Sequence, residues 1–330
     1  MLDKDLFFKI KWLIAKNELA FKSRQGGFHY QKPKDSSIVS LHQRVSGIQL
    51  GLRAVQTEEM LQWMKNVDVD LTEINQLSFE FDINAMPDIG VSYSEFDASP
   101  LSTTVHTALE FMNMYQKRRP VIFTNDFWYF KEIIPNRVGT VNDLKHNDLL
   151  IISVPFFETF KVKSNMDEIL SRCCDLDIPV MLDLVWLPLV DSIEPLNNTD
   201  CVEVIAQSMT KVLPMSGIKG GVAFWRRPVP TRQNMYPLGN NVGFYVTKKY
   251  LQEKGYYYVR DSLRHSQKYW CEVLGLEVHD LVLGADIPNN HFLTDQSLHS
   301  HRIPNSKIFN LVPFFENEKS IKALLVDKKR

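Results

Sequence analysis

The sequence predicts an α/β fold in which a mostly parallel β-sheet is sandwiched between helices. Short, nearly continuous apolar runs alternate with amphipathic helical segments, which is typical of strands that a sheet buries on both faces. Apolar residues make up 44% and charged residues 23% of the 330 residues, as in an ordinary globular protein. The chain is therefore long enough and apolar enough to bury a large core.

The charge balance and the cysteine pattern exclude several functional classes. Lys and Arg number 38 against 39 Asp and Glu, so no net field attracts nucleic acid or a membrane surface, and we expect neither as a partner. The four cysteines form no CxxC pair, and His299 and His301 lack a Cys or acidic partner at ligand spacing, so no metal site is expected. We find no signal peptide and no apolar stretch of ~20 residues, which predicts a cytoplasmic protein.

The predicted elements follow one another in the order expected of such a sheet. A helix is predicted over residues 2–22, and another starts at Thr57. A helix over residues 100–119 has N-cap candidates at Ser102, Thr103 and Thr104. Five strands are predicted at 121–125, 148–154, 178–186, 201–208 and 220–227, with helices at 127–134 and 164–177 between them. Residues 248–275 form a long amphipathic helical region.

The most informative stretch surrounds Lys211. A predicted strand ends at Ser208, and Thr210 and Lys211 follow at once, with Lys219 in a glycine-flanked loop eight residues later. A lysine amine can form a Schiff base with an aldehyde cofactor, and neighbouring hydroxyls and a cation can hold a phosphate. The alternative is a surface loop with two solvated lysines.

Asp183 lies inside the apolar run at 178–190. An aspartate is almost never fully buried unless it is paired, and a protonated pyridine nitrogen is a suitable partner. The alternative is that the apolar run ends at Leu182 and Asp183 begins a loop.

Together, Asp183, the Ser208–Lys211 stretch and Lys219 resemble, in order and spacing, the fold-type I enzymes that depend on pyridoxal 5'-phosphate (PLP), specifically the class I/II aminotransferase family. The resemblance covers roughly residues 100–226. It implies PLP as cofactor, a Schiff base on Lys211 and Asp183 on the pyridine nitrogen. It also implies a homodimer, an amino acid or related amine as substrate, and a 2-oxo acid.

Further site residues are implied by the same resemblance. Trp128 would stack on the pyridine ring, with Phe127 or Tyr129 as alternatives. The phosphate would be held by Lys219, by two hydroxyls and by the helix start at residues 102–104, that is by Ser208, Thr210, Thr103 and Thr104. Arg302 is a candidate for the substrate carboxylate, although a solvated arginine is the alternative. The domains would comprise an N-terminal segment and part of a small domain (1–95), a large PLP-binding domain (96–240) and a C-terminal small domain (241–330).

The sequence also departs from the family pattern. The loop asparagine that contacts the phenolic oxygen of the cofactor is missing from residues 155–157, and Trp186 stands where the family has a tyrosine for the same oxygen. Lys219 replaces an arginine, and the glycine of the phosphate-binding helix start is absent. The leading hypothesis is an aminotransferase. The alternatives are a catalytically degenerate binding or scaffold protein, and a PLP-dependent lyase, decarboxylase or oxidase.

Overall fold

The structure is a computed structural model that describes most of the chain after residue 80. The predicted helices at 2–22 and from Thr57 lie outside this part. The described residues are 81–101, 103–156, 159–191, 193–213, 220–227, 241–288, 308–316 and 318–327.

A seven-stranded sheet forms the centre of the described structure, in the order β1-β7-β6-β5-β4-β2-β3. Neighbouring strands pair in parallel except along β7, which is antiparallel to both β1 and β6. The predicted mostly parallel sheet is therefore confirmed. Its strands are β1 (Asp97–Pro100), β2 (Arg119–Phe123), β3 (Asn136–Val138), β4 (Asp148–Ser153), β5 (Val180–Asp183), β6 (Val202–Ser208) and β7 (Gly221–Trp225).

Helices and a second, three-stranded antiparallel sheet complete the described part. The small sheet has the order β10-β9-β8 and is formed by β8 (Glu277–Val278), β9 (Gly284–Asp286) and β10 (Ile308–Asn310). The α-helices are α1 (Thr104–Met114), α2 (Trp128–Ile133), α3 (Met166–Asp175), α4 (Asn241–Lys254), α5 (Tyr258–Leu274), α6 (Val312–Glu316) and α7 (Glu318–Asp327).

The helix predicted over residues 100–119 is too long at both ends. Pro100 is the last residue of β1, and Arg119 is the first residue of β2. The Arg119 guanidinium bonds both carboxylate oxygens of Asp148, at 2.7 and 2.9 Å, across the paired starts of β2 and β4. Asp148 is only 1% exposed, so this pairing offsets the cost of burying its charge and keeps Arg119 in the sheet.

The amphipathic region at 248–275 is two helices rather than one. Gly255 lies between α4 and α5 with a φ of +85°, a conformation that favours glycine. The predicted strand at 178–186 also ends early, because β5 stops at Asp183 and the chain turns into a 3₁₀-helix at Leu187–Leu189.

Both faces of the sheet are buried, as the apolar strands require. Along β4, Leu150 and Ile152 belong to one hydrophobic cluster, which also contains the buried residues of α3. Leu149 and Ile151 belong to the other, which also contains buried residues of α1. Successive side chains of a strand point to opposite faces, so a run without polar interruptions is the pattern that this environment selects.

Gly221 is the position where β6 and β7 require glycine. Its φ is +153°, and a Cβ there would lie 2.1 Å from the carbonyl oxygen of Gln207. We expect Gly221→Ala to lower the free energy of unfolding by about 2–4 kcal/mol, measured by urea denaturation. Gly255→Ala is the matched control, because its Cβ would meet nothing within 4 Å and only the φ penalty of about 1 kcal/mol remains. Equal losses in the two variants would contradict this assignment.

Candidate active site

The candidate site lies where β4, β5 and β6 end at the same edge of the sheet. Ser153 pairs with Asp183 in register, and Asp183 pairs with Ala206, two residues before Ser208. Since side chains two apart share a face, Ser153, Asp183 and Ser208 all point to the face covered by α1. The carboxyl ends of parallel strands are the usual place for ligand sites in such sheets.

Asp183 is a buried carboxyl group with one unsatisfied oxygen. It is 1% exposed, and its Oδ1 accepts a hydrogen bond from the backbone N–H of Val185 at 3.1 Å. Its Oδ2 is buried and has no hydrogen-bond partner among the described residues. Burial raises the pKa of Asp183 from 3.8 to about 7, the nearby charge of Asp126 also raises it, and Lys211 lowers it. Asp183 is the last residue of β5 and is not solvated, although its hydrogen bond with Val185 does belong to the turn that follows the strand.

Asp126 is a second buried carboxyl group, and the sequence analysis missed it. It follows β2, is 1% exposed and accepts hydrogen bonds from the backbone N–H groups of Phe127 at 2.6 Å and Ser153 at 3.1 Å. Burial raises its pKa, while the Ser153 hydroxyl, these backbone hydrogen bonds and the charge of Lys163 lower it. The signal available in the sequence was its place, two residues before Trp128 at the end of a predicted strand.

Lys211 is buried beside Trp186 rather than solvated in a surface loop. It is 7% exposed, and its Nζ lies 4.8 Å from the centroid of the Trp186 ring. The edge of Trp186 packs against Phe160, with ring centroids 5.1 Å apart, which fixes the indole. A cation over an indole face is stabilised electrostatically. The surface-loop alternative for Lys211 is therefore wrong.

Two hydroxyl groups precede Lys211 and bond to each other. Ser208 Oγ lies 3.0 Å from Thr210 Oγ1, and the backbone N–H of Met209 donates to the carbonyl of Gly220 at 2.9 Å. The N–H groups of Val212 and Leu213 both donate to the carbonyl of Met209, so Lys211 stands in a tight turn directly after β6. This turn brings the amine within electrostatic reach of Asp183.

The start of α1 lies at the same edge, because it follows β1, which runs parallel to β6. Thr103 is the N-cap of α1, as predicted, and its hydroxyl accepts from the N–H of His106 at 2.9 Å. Thr104 is the first helical residue and is buried. A helix start offers N–H groups and a partial positive charge to an anion.

Several predicted site residues cannot be compared with the structure. Lys219, Arg302, His299 and His301 lie outside the described residues. Trp128 begins α2, but its side chain and that of Tyr129 are not among the described ones, so the ring-stacking residue stays a prediction.

The described residues also form a cleft that is separate from Asp183 and Lys211. This cleft of about 360 Å³ is lined by residues 160–164, 166, 167, 190, 191, 193–196 and 280, and neither Lys211 nor Asp183 lines it. No group of three His, Cys, Asp or Glu side chains in the described residues could hold a metal ion. None of the described helices is long and apolar enough to cross a membrane.

Comparison with known proteins gives matches of structure alone. No protein family model matches the sequence, and no curated protein matches it. The solved structures that are similar to this chain include the following three. A protein described as a PLP-dependent beta-cystathionase from Corynebacterium diphtheriae has a TM-score of 0.51 and 10% identity, over 80% of this chain and 88% of that one.

The other two structures contain bound PLP. The PLP-bound C-S lyase from Staphylococcus hominis has a TM-score of 0.52 and 13% identity, over 81% of this chain and 88% of its own. A PLP-bound protein from Clostridium difficile 630, named as an aminotransferase, has a TM-score of 0.53 and 11% identity, over 80% and 87%. At these identities the likeness shows the fold, and the predicted fold-type I architecture is confirmed.

The buried carboxyl of Asp183 predicts an unusual dependence of stability on pH. Because its folded pKa of about 7 exceeds its ordinary value of 3.8, the folded chain holds a proton that the unfolded chain releases between these two values. In protein freed of bound small molecules, this group should therefore lower the free energy of unfolding as pH rises from about 4 to about 7, by at most about 1.4 kcal/mol per pH unit.

Asp183→Asn should remove that contribution and be the more stable protein at pH 8. Urea denaturation at half-unit pH intervals measures the difference between variant and parent. Asp175→Asn, which changes an exposed aspartate of α3, should keep the parental pH dependence. If the free energy of unfolding changes with pH in the same way in Asp183→Asn and in the parent, the fold does not shift the pKa of this carboxyl group.

Proposed function

We propose that the chain is a PLP-dependent enzyme in which Asp183 and Lys211 hold the two reactive ends of the cofactor. The observation that carries the proposal is the buried Oδ2 of Asp183, which lacks a partner among the described residues and lies within electrostatic reach of the Lys211 amine. PLP supplies an aldehyde that captures amines and a ring that accepts electrons. The solved structures of the same fold that contain PLP support this choice of cofactor.

The residues present are suited to this cofactor. A protonated pyridine nitrogen would give Asp183 Oδ2 the hydrogen bond and the opposite charge that its burial demands. The Lys211 amine, carried by the turn after β6, would be the group that attaches to the aldehyde carbon. The Trp186 indole holds the amine in place and narrows the access of water to it, since both residues are buried.

The phosphate would be bound at the edge between β6 and α1. The Ser208 and Thr210 hydroxyls already bond to each other at 3.0 Å, so both can turn towards one anion. The first N–H groups of α1, around Thr103 and Thr104, would add the donors of a helix start. Lys219 is proposed as the countercharge, in place of the arginine that the resemblance leads one to expect.

Lys211 has a second proposed role once a substrate amine has displaced it. Its free amine would move the proton on the substrate carbon attached to nitrogen, first as base and then as acid. Trp128, at the start of α2, is proposed to stack on the ring, and Arg302 to bind the substrate carboxylate. We infer transamination between an amino acid and a 2-oxo acid as the reaction and a homodimer, with the domain boundaries predicted above, as the functional form.

A lyase reaction is the second candidate, since two of the three similar structures are named as a beta-cystathionase and a C-S lyase. The third candidate, a protein that keeps the fold without the chemistry, is motivated by Trp186 and by Phe156, which stands in the loop where the resemblance predicts an asparagine. The following two experiments separate these candidates.

Lys211→Met should abolish covalent attachment of the cofactor. We expect borohydride to fix PLP on the parental protein, in the peptide that contains Lys211, and to fix none on the variant, with any activity falling about a hundredfold or more. Lys254→Met, at the end of α4, is the control and should label as the parent does. A label on another lysine in both proteins would contradict the assignment of Lys211. A parental protein that does not bind added PLP would favour the protein that keeps the fold without the chemistry.

The reaction of the PLP-loaded protein with an amino acid alone distinguishes transamination from a lyase reaction. A transaminase loaded with PLP should lose its yellow colour with an amino acid and regain it with a 2-oxo acid, because the amino group is stored on the cofactor between the two steps. A lyase should keep its colour and release a thiol from a thioether amino acid. Absorbance spectra over a panel of amino acids measure both, and a spectrum that no amine changes would contradict the enzyme proposal.

A further inference from the structure

Asp126 places a second carboxyl group beside Asp183. It lies in the turn between β2 and α2, and its Oδ2 accepts from the backbone N–H of Ser153 at 3.1 Å. Ser153 is the last residue of β4 and is the register partner of Asp183 on β5. The two carboxyl groups therefore converge on the ends of adjacent strands, and both are buried from water.

Two cations lie near the pair, each on a different segment of the chain. Lys211, in the turn after β6, faces Asp183. Lys163, in the loop before α3, faces Asp126 and is held between two rings, 3.9 Å from the centroid of Phe123 and 4.1 Å from that of Phe156. Among the described residues, the two carboxylates are also stabilised by the Ser153 hydroxyl and by the backbone N–H groups of Phe127, Ser153 and Val185.

Two carboxylates in one buried site disfavour each other's ionisation, so such a pair retains a proton to a higher pH than a lone carboxyl does. The Oδ1 and Oδ2 of Asp126 each accept a backbone N–H, which favours its ionised form. Asp183 has only one such bond and an unpartnered oxygen among the described residues. The shared proton is therefore best accommodated on Asp183.

We propose that Asp126 is a positioning residue that, together with burial, makes Asp183 hold a proton in the cofactor-free protein, ready for transfer to the ring nitrogen of PLP. Only the transfer of this proton to PLP rests on the proposed function. In that step the O–H bond of Asp183 breaks and an N–H bond forms on the ring. Both carboxyl groups are then ionised and face a positive ring, and the proton does not come from solvent.

The first test follows the carboxyl groups without the cofactor. Protein labelled with ¹³C at aspartate carboxyl carbons is titrated by NMR, and Asp183→Asn assigns the signal. Asp126→Asn should move the Asp183 midpoint down from about 7, towards 3.8, because the neighbouring negative charge is gone. Asp175→Asn removes an exposed aspartate charge on α3 and should leave the midpoint in place. An unchanged midpoint in Asp126→Asn overturns the proposal.

A second variant keeps the test decisive if Asp126→Asn fails to fold, since asparagine cannot accept both N–H groups as the carboxylate does. Lys163→Gln removes the cation that faces Asp126 and leaves those hydrogen bonds untouched. The pair should then take up its first proton at a higher pH than in the parent. No change in the first proton uptake of the pair would overturn the coupling between the two carboxyl groups.

Calorimetry in buffers of different ionisation enthalpy tests the transfer. PLP binding to the parent near pH 6 should take up fewer protons from the buffer than binding to Asp126→Asn, in which a larger fraction of Asp183 has already released its proton. The affinity of the variant for PLP should be about tenfold lower, because one of two facing charges is lost. Equal proton uptake contradicts the transfer. Failure of PLP to bind the parent contradicts the proposed function, while the NMR result stands by itself.

Discussion

The carboxyl group of Asp183 is the constraint on which the rest of the candidate site depends. A charged carboxylate without a partner is costly to bury, and this one lies at the end of a central strand with one oxygen unsatisfied within the described structure. Replacing it by an apolar residue would serve the core better. A group of this kind is retained where a ligand supplies the missing hydrogen bond and opposite charge, which is why its burial indicates binding rather than packing.

The sheet explains why the other groups gather around that carboxyl. Parallel strands bring the ends of β4, β5 and β6 to one edge, and the alternation of side chains puts Ser153, Asp183 and Ser208 on one face. The antiparallel strand β7 closes against β6 at Gly221, where only glycine allows the close approach to Gln207. That contact holds the end of β6, and the position of Lys211 in the following turn depends on it.

The sequence was most informative where a residue type conflicts with its surroundings. An aspartate in an apolar run and a lysine directly after a strand could be singled out because burial of either group needs a reason. Asp126 was harder to single out, since Thr124 and Asn125 before it are also polar, and only the register of β4 and β5 reveals that Asp183 is its neighbour. The sequence also did not predict that the helix ends at Met114. Arg119 lies in a strand because it pairs with Asp148, which is 29 residues away in the chain.

The two buried carboxyl groups also bear on the lysine. An amine attacks an aldehyde only in its neutral form, yet the indole face of Trp186 at 4.8 Å favours the charged ammonium of Lys211. An ionised Asp183 would favour the ammonium further, whereas a protonated Asp183 attracts it less. By helping Asp183 to hold its proton until a ring nitrogen takes it, Asp126 would leave one negative charge fewer near the Lys211 amine at the moment when the aldehyde arrives. The carboxyl pair would thus prepare both ends of the cofactor site.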